Sequence, residues 1–129
     1  MSRIVYSQTD DKKAMEYYDN GIDNVFKKNY TLAIAYFSDA IKRDSGFIQA
    51  YENRGVAKYY LHDHRGAIAD FSRVIKSWSG GKDQKSKAFF WRGLVKIDSG
   101  QKESGCLDLT KAKKLGYATA YEVIDIYCQ

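Results

Sequence analysis

Long hydrophobic runs are missing from this sequence, and so is proline. The longest apolar stretches contain only a few residues, whereas a transmembrane helix needs about 20 and a secretory signal has an apolar core of about 7–15. We therefore expect neither a membrane span nor a signal sequence, and we expect a cytoplasmic location. A periplasmic location would follow only if a signal had been removed.

Blocks of like charge are missing as well. The net charge is +5, but basic and acidic residues number 7 and 7 over 1–47, 5 and 3 over 48–81, and 9 and 6 over 82–129. Interspersed charges of this kind are typical of a solvated helical surface and give no strong signal for nucleic-acid binding. Hydrophobic residues at 44% and aromatic residues at 15%, including 11 tyrosines, suffice for one folded domain.

Sequence motifs for catalysis, cofactors and metals are also missing. No glycine-rich phosphate loop follows a strand, no serine or cysteine stands in a nucleophile motif, and the carboxylates are spread rather than paired. His62 and His64 flank Asp63 in a predicted turn, but two histidines without further ligands do not make a metal site. We expect a protein that is not an enzyme and holds neither a cofactor nor a metal.

An internal repeat of 34 residues is present instead. Residues 14–47 and 48–81 are identical at eleven positions, and a third copy begins near Ser86 with a glycine spacing of 38. The four extra residues fall within 79–84, a polar, turn-forming stretch that would lengthen the loop between two repeats. Identical pairs include Tyr17 with Tyr51, Gly21 with Gly55, Ala33 with Ala67, and Phe37 with Phe71.

An aromatic residue, a glycine four positions later and then Ala-x-x-x-Phe, at a period of 34, resemble the tetratricopeptide repeat. The resemblance covers about 14–117 and implies an all-α fold, a right-handed α-solenoid of three antiparallel helix pairs. The repeats would be 14–47, 48–81 and 86–117, after an N-terminal extension, 1–13. Residues 118–129 would form a capping helix, which solenoids need over their last apolar face.

The same reading predicts helices near 12–27, 30–43, 48–61, 65–77, 85–98, 102–115 and 118–128. Within each pair, Gly21, Gly55 and Gly93 would let two helix backbones approach closely. Two family positions are occupied differently: the leucine before the glycine is Asn20, Arg54 and Arg92, and the closing proline is Ser45, Ser79 and Tyr117. The ending, Gly-Cys-Leu-Asp-Leu and then Tyr-Cys, resembles the last repeat of many bacterial members.

In this family the first helix of each repeat lines a concave groove, so the resemblance implies a mixed aromatic surface here. Tyr18 and Trp91 are the leading contact candidates, because such rings give large contact area at low entropic cost. Each ring could equally pack between repeats. The implied lining is Met15, Tyr18, Ile22, Gln49, Glu52, Asn53, Val56, Tyr59, Lys87, Phe90, Trp91 and Leu94.

The chaperone-binding members hold a partner's C-terminal carboxylate in a clamp of Lys, Asn and Arg side chains. Asn53 and Lys87 fall on clamp positions, where they could hydrogen-bond a peptide or stay solvated. Tyr18, Ile22 and Trp91 occupy the other three, so we expect no complete clamp.

The two cysteines fall on either side of a predicted helix hairpin. Cys106 lies 10 residues before Gly116 and Cys128 lies 12 after it, so the two thiols could meet. They would form either a disulfide or a pair of free thiols. We favour free thiols because the chain shows no signal sequence.

Binding of a protein or peptide partner in the groove, as a scaffold or adaptor, is the function that the resemblance implies. RNA binding is an alternative, although Tyr18, Glu52 and Phe90 at one recurring position do not suggest a base code. Self-assembly through residues such as Ile4, Val5 and Tyr6 is a further alternative. We expect a monomer or a weak homo-oligomer.

Overall fold

The structure, a computed structural model, describes residues 9–129, and these form seven α-helices without any strand. The helices are α1 (Lys12–Phe26), α2 (Tyr30–Arg43), α3 (Ile48–Tyr60), α4 (His64–Ile75), α5 (Lys82–Asp98), α6 (Lys102–Lys114) and α7 (Thr119–Tyr127). The first six form three pairs, and each helix packs against its neighbours along the chain. The predicted all-α helical-repeat solenoid is confirmed. Ile4, Val5 and Tyr6, proposed for self-assembly, lie outside the described residues.

One helix begins earlier than the sequence suggested. We expected α5 to start near residue 85, but it starts at Lys82, after Gly81 in an extended conformation. Three residues of the 79–84 stretch therefore form the first turn of α5, where Asp83 complements the positive end of the helix dipole. The insertion lengthens both the loop and the helix, and it leaves the Trp78 side chain fully exposed.

The core lies between the two helices of each pair and between successive pairs. Phe37, Phe71 and Leu109 are completely buried, at matching positions of α2, α4 and α6. Small residues surround them, so each large side chain fills a space that alanines leave open. The fully buried alanines are Ala14, Ala33, Ala40, Ala50, Ala57, Ala67, Ala88, Ala112 and Ala120.

The glycines of the first helices make the expected close approaches, but in two different ways. A Cβ at Gly55 would lie 3.0 Å from the Phe71 ring, so here the glycine makes room for a phenylalanine. In the third pair a Cβ at Gly93 would lie 2.8 Å from the backbone oxygen of Gly105, and one at Gly105 would lie 2.7 Å from that of Gly93. The third pair therefore packs backbone against backbone.

Four residues in the left-handed backbone region end helices. Gly116 (φ 97°) and Gly100 (φ 89°) follow α6 and α5, where glycine adopts this conformation without a steric penalty. Lys28 (φ 60°) and His62 (φ 61°) do the same after α1 and α3, although neither is a glycine. The conformation costs a residue with a Cβ about 1 kcal/mol, so these two turns carry local strain.

Arg54, at the position of the family's leucine, makes an ion pair with the buried carboxylate of Asp70. Arg54 Nε lies 2.9 Å from Asp70 Oδ2 and its Nη2 lies 2.8 Å from Oδ1, while Nη1 donates to Ser38 Oγ of the preceding repeat at 3.2 Å. Lys58 Nζ adds a contact of 3.2 Å to Asp70. We call these four residues the first arginine cluster.

The third repeat carries an equivalent group of four residues, the second arginine cluster. Arg92 pairs with Asp108 at 2.7 and 2.8 Å and donates to Ser72 of the preceding repeat at 3.1 Å. Lys96 Nζ lies 3.0 Å from Asp108. Each cluster joins the helices of its own pair to the preceding pair.

The last helix packs on α6 and covers the end of the third pair. Ala120 is completely buried against Leu109 and Ala112, and Ile124 packs on the same cluster.

Cys106 and Cys128 form a disulfide with a Cα–Cα distance of 5.8 Å, so our preference for free thiols was wrong. The cytoplasmic location, which we also expected from the missing signal sequence, stays a prediction.

Among residues 9–129, none of the helices is both long enough and apolar enough to cross a lipid bilayer.

Candidate functional site

The first helices of the three pairs, α1, α3 and α5, carry the residues expected in the groove, and α3 contacts both α1 and α5. Lys87 is exposed, whereas Glu52 and Phe90 each keep only 6% of their surface exposed. Phe90 packs on Leu109 and Ala112 in the core. The other candidates are half-buried: Met15, Tyr18, Ile22, Gln49, Asn53, Val56, Tyr59, Trp91 and Leu94.

A continuous row of aromatic rings runs from Tyr30 at the start of α2, across α3 and α5, to Tyr117 after α6. Tyr59 lies at its centre, with its ring centroid 5.5 Å from that of Tyr60 and 5.7 Å from that of Trp91. Tyr60 stacks on Tyr30 at 5.0 Å, and Trp91 makes an edge contact with Phe90 at 6.2 Å. Contacting rings therefore link all three repeats. The aromatic row consists of Tyr30, Tyr60, Tyr59, Trp91, Phe90 and, 4.7 Å from Phe90, Tyr117.

The most accessible large apolar side chains on these helices are ones that we did not select from the sequence. Phe26 is 82% exposed and Tyr60 is 48% exposed, at the same position of successive first helices, where α5 has the exposed Asp98. The repeat spacing could have identified these positions, since Phe26 and Tyr60 are 34 residues apart and Tyr60 and Asp98 are 38 apart. We did not select these residues because our candidates included only the positions that the family uses for ligand contact.

A buried carboxylate lies at the centre of the predicted groove. Glu52 Oε1 is 3.5 Å from Lys87 Nζ, and Glu52 Oε2 is buried without a hydrogen-bond partner among the described residues. Burial raises the pKa of Glu52 above its usual range, and the Lys87 ammonium only partly opposes this. The negative charge of Glu52 is therefore poorly stabilised, and the Lys87 ammonium group is engaged in an ion pair with it.

Asn53, the other clamp candidate, is occupied as well. Its Nδ2 group donates to the Tyr18 hydroxyl at 3.0 Å and to the backbone oxygen of Gln49 at 2.9 Å. Burial and the nearby Glu52 carboxylate raise the pKa of Tyr18 to about 12. Because both N–H groups of the Asn53 amide are used within the chain, this side chain has no donor left for a ligand.

Three tyrosines and one aspartate converge near the carboxyl ends of α3, α5 and α7. Burial raises the pKa of Tyr59 to about 12, and a hydrogen bond to the Asp98 carboxylate, with the nearby Tyr60 and Tyr127 hydroxyls, acts in the same direction. Tyr60 and Tyr127 are each about half exposed. We call these four residues the tyrosine–aspartate cluster.

The two histidines do not form part of this surface. The His62 and His64 rings lie 6.2 Å apart at the turn before α4. Within residues 9–129, no group of three or more histidine, cysteine, aspartate or glutamate side chains could hold a metal ion.

Comparison with known proteins gives one sequence relative and a clear structural neighbour. Tetratricopeptide repeat protein 36 from Danio rerio is 33% identical over 97 residues, which are 74% of this chain and 51% of the relative. The chain thus spans about half the length of this curated relative. The first tetratricopeptide domain of Spaghetti (RPAP3), bound to the HSP90 peptide SRMEEVD, superposes with a TM-score of 0.74 at 16% identity, over 92% of this chain and 98% of that one. No protein-family model matches the sequence.

Proposed function

Because this chain belongs to the tetratricopeptide repeat family, we propose that it binds a peptide segment of a partner protein and acts as a scaffold or adaptor. The contact surface would be the predicted groove on α1, α3 and α5, without a catalytic step. The observation that carries the proposal is the aromatic row, which offers contacting rings across three repeats. Tyrosine and tryptophan side chains are enriched among the few residues that supply most of the binding free energy at protein interfaces.

The structural neighbour supports a peptide as the ligand, since it holds the HSP90 peptide SRMEEVD. The mode of binding would differ here. Tyr18, Ile22 and Trp91 stand at three clamp positions, Asn53 donates within the chain, and Lys87 faces Glu52 at 3.5 Å. Apolar and aromatic contact, rather than capture of a terminal carboxylate, would then provide the affinity.

RNA binding has less support than peptide binding. Phosphate recognition requires basic side chains that are free to replace counterions. Five basic residues of α3 and α5 are instead paired with carboxylates of the same chain: Arg54, Lys58, Lys87, Arg92 and Lys96.

Tyr18 and Trp91 are poor positions for testing the groove. Tyr18 contacts the buried Phe37 and Phe47 rings, and Trp91 stacks on the buried Phe71 ring. Replacing either by alanine would therefore reduce the stability of the fold as well as any binding. Phe26 and Tyr60 are better probes, because their rings are 82% and 48% exposed.

The proposal is tested by comparing two double variants in a quantitative pull-down. Phe26→Ala/Tyr60→Ala removes accessible rings of the first helices, whereas Leu107→Ala/Tyr121→Ala removes side chains of similar exposure, 73% and 52%, from α6 and α7. We expect the first variant to lose at least about tenfold of the partner signal and the second to keep it, since truncating a central contact costs more than about 1.4 kcal/mol. Equal retention by both variants would refute the groove as the binding surface.

A further inference from the structure

Most basic side chains of α3 and α5 are neutralised by carboxylates of the same chain. Arg54 and Lys58 pair with Asp70, and Arg92 and Lys96 pair with Asp108. Lys87 in turn pairs with Glu52. Of the basic residues of α3 and α5, only Lys82 and Lys85 make no ion pair with another described residue, and they stand in the first turn of α5.

Asp98, by contrast, carries a carboxylate that makes no ion pair with any residue from 9 to 129. It is the last residue of α5, 16 residues after Lys82 and therefore about 24 Å from it along the helix. The Tyr59 side chain forms a hydrogen bond with the Asp98 carboxylate, and the Tyr60 and Tyr127 hydroxyls lie near Tyr59. The Tyr60 and Tyr127 side chains are each about half exposed. This end of the groove therefore combines an exposed negative charge with accessible aromatic faces.

Carboxylate and tyrosine together favour a cation. A lysine or arginine side chain over a tyrosine ring is attracted by the negative face of the ring, and a neighbouring carboxylate attracts the same charge. The ring of Tyr60 is held in place by stacking on Tyr30 at 5.0 Å, so it would lose little freedom when a ligand binds.

The position of Tyr127 depends on the disulfide. Cys128 follows Tyr127 directly and is joined to Cys106, which lies near the start of α6 and eight residues after Asp98. The covalent link therefore holds the end of α7 beside the end of α5. The tyrosine–aspartate cluster is thus built from three helices and fixed on one side by a covalent bond.

We propose that the groove takes a basic peptide segment, with a lysine or arginine side chain seated on the tyrosine rings beside the Asp98 carboxylate. This inference rests on the proposed function and specifies its ligand. It is opposite in sign to an acidic peptide such as SRMEEVD, which the structural neighbour holds. An acidic ligand would meet the Glu52 and Asp98 carboxylates, because the unpaired Lys82 and Lys85 stand at the other end of α5 from Asp98.

The test uses the full chain, immobilised, and a pool of randomised dodecapeptides with acetylated N-termini and amidated C-termini. Capping removes the terminal charges, so the retained sequences report only side-chain preference. We expect lysine and arginine to be enriched about five-fold over aspartate and glutamate in the retained pool, from one cation–π contact and one charge pair. Asp98→Asn should abolish most of that enrichment.

Asp83→Asn is the matched control, because it removes the same charge from the other end of the same helix. It should leave the enrichment unchanged. A retained pool that depends on Tyr60 but is neutral or acidic would overturn this inference and leave the proposed function standing. A pool with no retention above an uncoupled matrix would count against both.

Discussion

Arg54 and Asp70 face each other across the two helices of the second repeat, joined by two hydrogen bonds of 2.9 and 2.8 Å. Arg92 and Asp108 repeat the arrangement in the third repeat, at the same separation of 16 residues. Both arginines also reach a serine of the preceding repeat. The clusters therefore fix the register of each repeat on the one before it.

Removing the acidic partner should be strongly destabilising. In Asp70→Asn, Arg54 and Lys58 would stay half-buried beside a neutral amide, and losing a hydrogen-bonded charged partner costs about 1.5–3 kcal/mol. Asp23→Asn makes the same change at an exposed position of α1 and should alter the free energy of unfolding by less than about 0.5 kcal/mol. Urea unfolding followed by circular dichroism measures both. Similar midpoints for the two variants would show that the first arginine cluster contributes little.

Glu52→Gln should stabilise the protein at neutral pH. Because burial raises the folded-state pKa of Glu52 above its ordinary value of 4.5, the folded state binds this proton more tightly than the unfolded state. The free energy of unfolding of the wild type should therefore fall as the pH rises from about 4.5 through the raised pKa. The glutamine variant lacks this loss and should be more stable by about 1 kcal/mol at pH 7.

The pH dependence separates this explanation from a general effect of the amide. Unfolding curves of wild type and Glu52→Gln should converge below pH 4, where the carboxyl group is protonated in both states. A constant difference across pH 3–8 would contradict a role of the Glu52 charge.

Glycine should be preferred at the two strained helix ends. Lys28→Gly and His62→Gly each remove a Cβ from the left-handed region and should raise the free energy of unfolding by about 0.5–1 kcal/mol. Gly116→Ala introduces a Cβ at φ 97° and should lower it by at least as much. Thermal melts of the three variants show directly whether each substitution stabilises or destabilises the fold. A destabilised Lys28→Gly would mean that its side chain makes a contact outweighing the strain.

Much of this fold could be predicted from the sequence because the same local features recur with a period of 34 residues. Gly21 and Gly55 mark the close approaches, Phe37 and Phe71 mark the buried face, and the turns fall between them. The start of α5 was misplaced because a glycine pair signals a turn, yet Gly81 directly precedes the first helical residue.

The partners of long-range contacts could be predicted much less well. The first repeat has Asn20 at the position of Arg54, so the charge pair does not recur in every repeat. Its partner Asp70 also lies on a different helix, so the pair is not visible in the local sequence. Comparing Arg54 and Asp70 with Arg92 and Asp108 would have revealed the shared spacing. Tyr59 and Tyr127 come together only because α7 folds back on α6, which no periodic pattern indicates.

The third helix pair should not tolerate a larger residue at its backbone contact. In Gly105→Ala the new Cβ would lie 2.7 Å from the Gly93 oxygen, and backbone cannot move aside as a flexible side chain does. We expect a loss of about 2 kcal/mol in the free energy of unfolding, despite the better helix propensity of alanine. Gly46→Ala, whose Cβ would be 3.5 Å from Asp44, should stay within about 0.5 kcal/mol of wild type. Matching losses in the two variants would contradict backbone packing as the cause.

Reducing the disulfide should loosen the end of the solenoid while leaving its beginning unchanged. Cys106 and Cys128 are 22 residues apart, and closing a loop of that length stabilises a fold by about 3 kcal/mol in the chain-entropy view. The main contacts of each helix are with its neighbours along the chain, so the loss should stay in α6 and α7 instead of spreading to α1 and α2. Hydrogen exchange read by mass spectrometry, with and without reductant, should show faster exchange in α7 alone or in α6 and α7. Cys106→Ser/Cys128→Ser should match the reduced wild type and ignore the reductant, and unchanged protection of α7 after reduction would show that Ala120 and Ile124 hold the helix without the covalent link.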